Sequence, residues 1–138
     1  MRHMPVLALS TAFVAGIALT APALAQDTAP PPTPFQQVSD LLPLPEFIPG
    51  LGTLFVDPDT LPAGPFLAYD HDGALAATVY MVPIAALEDG TAFADLAVGS
   101  DTVTSVDVMY NAGHPGVEEP HVHVVLYHGD DAKERLAE

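Results

Sequence analysis

The chain has 138 residues, and 18 acidic side chains against three lysines and arginines give it a formal net charge of −15. Nucleic-acid binding needs clustered basic residues that displace counterions from phosphates, and an anionic membrane surface repels a strongly acidic protein, so both partners are excluded. The absence of cysteine excludes disulfides, thiolate metal sites, Fe–S clusters and cysteine nucleophiles.

The first 25 residues have the pattern of a secretory signal peptide. Arg2 supplies a short positive region, an apolar run extends over residues 6–19, and an A-x-A cleavage site follows at residues 23–25. The apolar run is shorter than the roughly 20 residues that a membrane span needs. The sequence therefore predicts cleavage before Gln26, no membrane insertion afterwards, and a periplasmic or secreted mature protein.

Residues 26–46 are predicted to be a proline-rich spacer followed by an apolar arm. The sequence QDTAPPPTP at residues 26–34 is typical of an extended, mobile spacer. From Phe35 to Leu42, apolar residues recur at i, i+3, i+6 and i+7, which predicts one or two helical turns. We expect this arm to pack on the domain or on a neighbouring subunit, and we place a single domain at residues 47–138.

The domain is predicted to be of the α+β class, a small antiparallel sheet with helix packed on one face. Strands are expected at residues 51–56, 66–69, 74–82, 103–110 and 121–128. The Asp-Gly pair that ends the segment 70–73 predicts a hairpin, because it readily takes positive φ. Pro83 suits a helix start, and an apolar stripe to Ala97, interrupted at Asp89-Gly90, predicts one kinked helix or two short ones. The order is therefore hairpin, helix, hairpin.

Four histidines near the C-terminus have the spacing H-x6-H-x-H-x4-H: His114, His121, His123 and His128. Side chains alternate between the faces of a strand, so His121 and His123 share a face about 6.5–7 Å apart and can converge on one ion. His128 has the opposite parity, whereas His114 lies in a loop from which it can reach back. His71 lies in a turn, where we expect an exposed side chain without a function.

The last two predicted strands each carry an apolar set at alternate positions: Val106, Val108 and Tyr110, and Val122, Val124 and Leu126. If these strands pair and both sets share the core face, the numbers of paired residues differ by an even number. The opposite face then collects Asp107 and Met109 beside His121 and His123. Asp107 is thus a further ligand candidate, or an acceptor that fixes a histidine tautomer.

Imidazole and carboxylate ligands suit Zn, Cu, Ni or non-haem Fe, and no DxDxDG calcium loop is present. The leading hypothesis is a divalent transition-metal site formed by His121, His123, His114 and Asp107. An enzymatic role would need an open coordination position, and the chain has neither a G-x-S-x-G elbow nor a Walker loop. The sequence names no substrate or reaction, and it favours a non-enzymatic role.

The alternative is a homo-oligomeric structural or interaction protein whose histidines lie at an interface. The predicted histidine face of the last strand also carries Val125 and Tyr127. Apolar residues on both faces of a strand predict that something covers the second face, and another subunit is the expected cover.

Two blocks, GLGTLFVDPDTLPAGPFLAYDHDGALAATVYMVP and YNAGHPGVEEPHVHVVLYH, account for most of residues 50–128. They resemble a family of small exported bacterial proteins of unknown function. The resemblance implies an extracytoplasmic α+β domain that self-assembles, and it implies no established activity. The second block is also faintly similar to the first cupin motif, although Gly116 precedes His121 by five positions, one short of the cupin spacing.

Overall fold

A computed structural model describes residues 26–137, and the predicted signal peptide at residues 1–25 lies outside them. Six strands form one sheet: β1 (Gln36–Gln37), β2 (Thr53–Val56), β3 (Phe66–Tyr69), β4 (Leu75–Pro83), β5 (Val103–Asn111) and β6 (His121–His128). Three short helices accompany it: α1 (Val38–Leu41), α2 (Ile84–Glu88) and α3 (Ala132–Arg135). In this part of the chain no helix is long and apolar enough to cross a membrane.

The strand order is β1-β2-β3-β4-β6-β5, and all neighbouring strands are antiparallel. The protein is therefore mostly antiparallel sheet with some helix, as the sequence predicts at that level. The turn between β3 and β4 forms at the predicted hairpin, where the Asp70 carboxylate accepts the backbone N–H groups of Asp72 and Ala74. Gly73 takes φ +77° there, a conformation that glycine adopts without strain.

The predicted long helix after Pro83 is wrong, because α2 ends at Glu88 and residues 89–102 have no regular helix or strand. This segment instead crosses one face of the sheet and hydrogen-bonds to β4. The Gly99 N–H donates to the Thr78 hydroxyl at 2.9 Å, and the Tyr80 hydroxyl donates to the Ala97 carbonyl. These tertiary bonds replace the helical ones that an isolated apolar stripe predicts.

The face of β6 that enters the main core is the one that carries His121 and His123, which corrects the predicted orientation. Leu54, Phe66, Val79 and Val125 contribute to that core. The expected core face is exposed on β5, where Val106 is 50%, Val108 67% and Tyr110 67% exposed.

The reason for this reversal is the cover that remote segments supply. The arm and α3 lie on the histidine face, where Val38, Leu42, Leu44, Ala132 and Leu136 pack against the sheet. The other face has a separate cluster that contains Phe55, Leu67, Tyr69 and Leu75, with Ala29 and Phe35 packed on it. That second cluster contains no residue of β5.

The proline-rich segment also differs from the expected mobile spacer, because it hydrogen-bonds to the β3–β4 hairpin. Thr28 forms an isolated antiparallel bridge with Ala74, and the Ala29 N–H donates to the Gly73 carbonyl at 2.8 Å. The Tyr69 hydroxyl donates to the Gln26 carbonyl at 2.8 Å. Residues 26–29 are therefore part of the folded domain.

Helix α3 carries the two cations that follow residue 25, and each one binds an acid of the sheet region. Lys133 pairs with Asp107 at 2.8 Å, with both side chains partly exposed. Arg135 pairs with Asp70, whose side chain is only 5% exposed. Burial by itself raises the pKa of Asp70, but the backbone N–H groups that it accepts and the guanidinium of Arg135 together lower it below its usual value.

Candidate metal centre

Three of the predicted ligands, His114, His121 and His123, converge at one end of the sheet. One ring nitrogen from each lies within 4.8 Å of the others. The Nε2 atoms of His121 and His123 are 2.9 Å apart. A tetrahedral zinc ion with Zn–N bonds of 2.0–2.1 Å separates its nitrogen ligands by about 3.3 Å. The three histidines are therefore close to the spacing that one transition-metal ion requires.

The strand and the adjacent turn explain this convergence. His121 and His123 lie two residues apart on β6, opposite Asn111 and Met109 of β5 respectively. His114 precedes a tight turn in which its backbone exchanges hydrogen bonds of 2.9 and 3.0 Å with Val117. This turn places the His114 ring across the β6 pair, with ring centroids 4.9 Å from His121 and 5.6 Å from His123.

Glycine at position 116 allows the turn to pack on the arm. Gly116 has φ +89°, and a Cβ built on it would lie 2.5 Å from the Leu42 side chain. Any larger residue would be strained by the backbone conformation and would also collide with the arm. The histidine turn and the arm are thus packed as one unit.

Two of the three imidazoles have their outer nitrogen occupied by a backbone carbonyl. His121 Nδ1 lies 2.7 Å from the Glu119 carbonyl oxygen, and His114 Nδ1 lies 3.1 Å from that of Pro115. A carbonyl only accepts, so each Nδ1 is the donor and each Nε2 is left with a lone pair in the neutral ring. Metal-ligating histidines usually have such a partner, which fixes both the tautomer and the ring orientation.

The cluster is held in its uncharged form by its surroundings. His121 is fully buried and His123 is 8% exposed. Burial, followed by the neighbouring His121 and His114, lowers the pKa of His123 from 6.5 to about 4. A neutral imidazole is the form that binds a metal ion, because protonation removes the lone pair. At neutral pH His123 is therefore ready to act as a ligand.

The remaining candidates lie elsewhere. Asp107 shares the face of His123, as the register argument predicts, but both of its carboxylate oxygens bind Lys133 at 2.8 Å. It is not part of the three-histidine group. His128 has the opposite parity and its Nε2 lies 2.9 Å from the Thr78 hydroxyl. His71 is exposed in its turn and stacks on Phe47 with a centroid distance of 3.7 Å.

A cavity of about 250 Å³ lies beside the histidines. Its polar lining consists of Asn111, His114 and His123, and its other lining residues are apolar: Val38, Leu42, Leu44, Ile48, Leu51, Leu54, Phe66, Val79 and Met81. These residues come from the arm, from three strands and from the histidine loop. No local sequence pattern links such distant segments, so sequence reasoning missed both the cavity and Asn111.

Comparison with solved structures identifies one informative relative, described as hypothetical protein TTHB210 from Thermus thermophilus. The two chains are 42% identical, the match covers 72% of this chain and 91% of the other, and the TM-score is 0.59. No protein-family model and no curated protein matches the chain. The relative has no stated activity, so the comparison supports the fold and a family relationship but assigns no function.

Proposed function

We propose that this chain, which belongs to the same family as the hypothetical protein TTHB210 of Thermus thermophilus, binds a divalent transition-metal ion through His114, His121 and His123. The observation that carries the proposal is the convergence of three imidazole nitrogens within 4.8 Å of one another. The two Nδ1 donors bound to carbonyls support it, because they orient Nε2 lone pairs toward a common point.

The donor set narrows the metal to the ions that imidazole prefers. Three neutral nitrogens suit Zn²⁺, Cu²⁺ or Ni²⁺, whereas Ca²⁺ and Mg²⁺ require oxygen ligands. Three protein ligands leave a fourth tetrahedral position for water or another molecule. We assign a binding role without a reaction, in a mature protein that the signal pattern directs out of the cytoplasm.

Calorimetric titration of the chain from Gln26 onward with each of the three ions tests the proposal. We expect one ion per chain, and we expect His121→Ala and His123→Ala each to weaken binding by at least about 100-fold, since each removes one of three ligands. Elemental analysis of the dialysed protein checks the stoichiometry.

Two matched variants keep this test specific. His71→Ala removes an exposed histidine outside the cluster, and Asp107→Asn removes the acid that shares the face but binds Lys133. Both should bind the ion with wild-type affinity. Equal, weak binding by wild type and by a variant that lacks both His121 and His123 would show that the cluster is structural.

A second candidate function, a homo-oligomeric structural protein, is favoured by the uncovered face of β5. Val106, Val108 and Tyr110 lie on this edge strand with at least half of their surface exposed. An exposed, nine-residue apolar edge strand is a surface that natural proteins usually cover or interrupt. A second copy of the chain is the proposed cover.

Sedimentation at tens of micromolar, an order-of-magnitude concentration for weak association, decides this candidate. We expect an oligomer that Val108→Asp dissociates, because a carboxylate buried between two acidic chains is costly to desolvate. Leu87→Asp, at an exposed position of α2, should leave the oligomer intact. A strictly monomeric wild type would exclude this function.

A further inference from the structure

The cavity beside the histidines has one polar end and a long apolar wall. Its apolar lining comes from the arm on one side and from β2, β3 and β4 on the other. Its polar residues, Asn111, His114 and His123, adjoin one another in the fold, since Asn111 pairs with His121 beside His123. Ligand sites commonly combine a mostly apolar wall with a few convergent polar groups. This arrangement is suited to an amphiphile with a single polar head.

The volume limits the size of that molecule. An engineered cavity of roughly 150 Å³ holds benzene, which has six non-hydrogen atoms. By proportion, the cavity of about 250 Å³ accommodates about ten non-hydrogen atoms. A monocarboxylate with a chain of eight carbons has that size.

Two of the three proposed metal ligands also border the cavity. His114 and His123 line it, whereas His121 lines a separate depression on the other side, with Glu118 and Glu119. An ion held by all three histidines therefore borders the apolar space. Three nitrogen ligands leave a coordination position for an exogenous group, and this position is available to a ligand in the cavity.

Electrostatics select the head group and make its binding depend on the metal. The chain from Gln26 onward has two cations against 18 acids, a net charge of −16. The cavity wall contains no lysine or arginine, and both of these cations bind acids elsewhere. A carboxylate entering the metal-free cavity meets neutral imidazoles inside an acidic protein, which disfavours it. A bound divalent ion reverses that balance, because it supplies the positive charge and accepts an oxygen ligand.

We propose that the cavity binds a medium-chain monocarboxylate, with its tail against the arm and its carboxylate on the metal held by His114, His121 and His123. This inference rests on the proposed metal binding. The arm residues Leu42, Leu44 and Ile48 are only partly buried, so the cavity is covered on that side by a thin layer that a ligand can enter through.

Calorimetric titration of octanoate into the zinc-loaded chain tests the inference. We expect one octanoate per metal ion, and we expect binding to weaken by at least about tenfold when the metal is removed or when octanol replaces octanoate. Leu44→Trp fills the cavity without removing a histidine, so it should weaken octanoate binding by at least about tenfold while zinc binding persists. Leu87→Trp enlarges an exposed residue of α2 outside the cavity and should bind octanoate like wild type.

Ile48→Phe provides a smaller filling substitution, in case Leu44→Trp does not fold. Zinc binding without octanoate binding, or octanoate binding that neither filling substitution weakens, would overturn this inference and leave the metal site standing. Equal octanoate binding with and without zinc would also overturn it. Failure of zinc itself to bind would remove the proposed function and this inference together.

Discussion

Saturation of the histidine cluster with zinc should raise the melting temperature of the protein by a calculable amount. A ligand that binds only the folded state stabilises it by RT ln(1 + [L]/Kd), about 2.7 kcal/mol when the free ligand is 100 times Kd. The cluster exists only in the fold, because the turn at His114 and the strand pair must come together to form it. The linkage relation therefore applies with little correction for the unfolded chain.

The size of the domain converts this free energy into a temperature. Unfolding entropy is about 2.1 cal/mol/K per residue, and the structure describes 112 residues, from 26 to 137. The unfolding entropy is then about 0.24 kcal/mol/K, and 2.7 kcal/mol corresponds to a shift of about 11 °C. Differential scanning calorimetry at zinc concentrations set from the measured Kd gives this number directly.

Two variants identify the source of the shift. The His121→Ala/His123→Ala variant should lose nearly all of it. His128→Gln should keep it, because His128 hydrogen-bonds Thr78 outside the cluster, although its melting temperature without zinc is expected to be lower. A full shift in the double variant would show that zinc binds elsewhere, for example to the acidic surface, and would refute the reasoning.

Three further predictions concern the packing that supports the site. Arg135→Met should lower the free energy of unfolding by about 2 kcal/mol in urea titration, because it leaves the buried Asp70 carboxylate without its cation; Lys133→Met, which breaks an exposed pair, should have little effect, and equal losses would contradict this. The pKa of Asp70 is lowered by folding, so the unfolded chain takes up its proton first on acidification and stability should fall as the pH drops below about 4; an Asp70→Asn variant with the same acid dependence would show that other groups cause it. Gly116→Ala should cost about 1–2 kcal/mol from its positive φ alone and should weaken zinc binding by displacing the turn; unchanged calorimetric titration and thermal unfolding would argue against the close packing of turn and arm.

The strand structure of this protein is largely encoded in local patterns. The predicted bounds of β3 and β6 agree with the structure, and the Asp-Gly signal correctly predicts the turn between β3 and β4. The pairing of Met109 with His123 follows from the even register that the alternating apolar sets require. Residues two apart on a strand share a face whatever the rest of the chain does, so the proximity of His121 and His123 was predictable from their spacing.

The tertiary structure decided which face became the interior. Both faces of β6 carry apolar residues, and alternation by itself cannot distinguish them, because the period of two is the same for either orientation. The arm and α3, which are remote from β6 or outside its periodicity, cover the histidine face and leave Val108 and Tyr110 exposed. The same long-range packing ends α2 at Glu88, gives Asp107 to Lys133 and encloses the apolar cavity. These features depend on contacts between segments distant in sequence, whereas periodicity and turn signals report only the conformation of neighbouring residues.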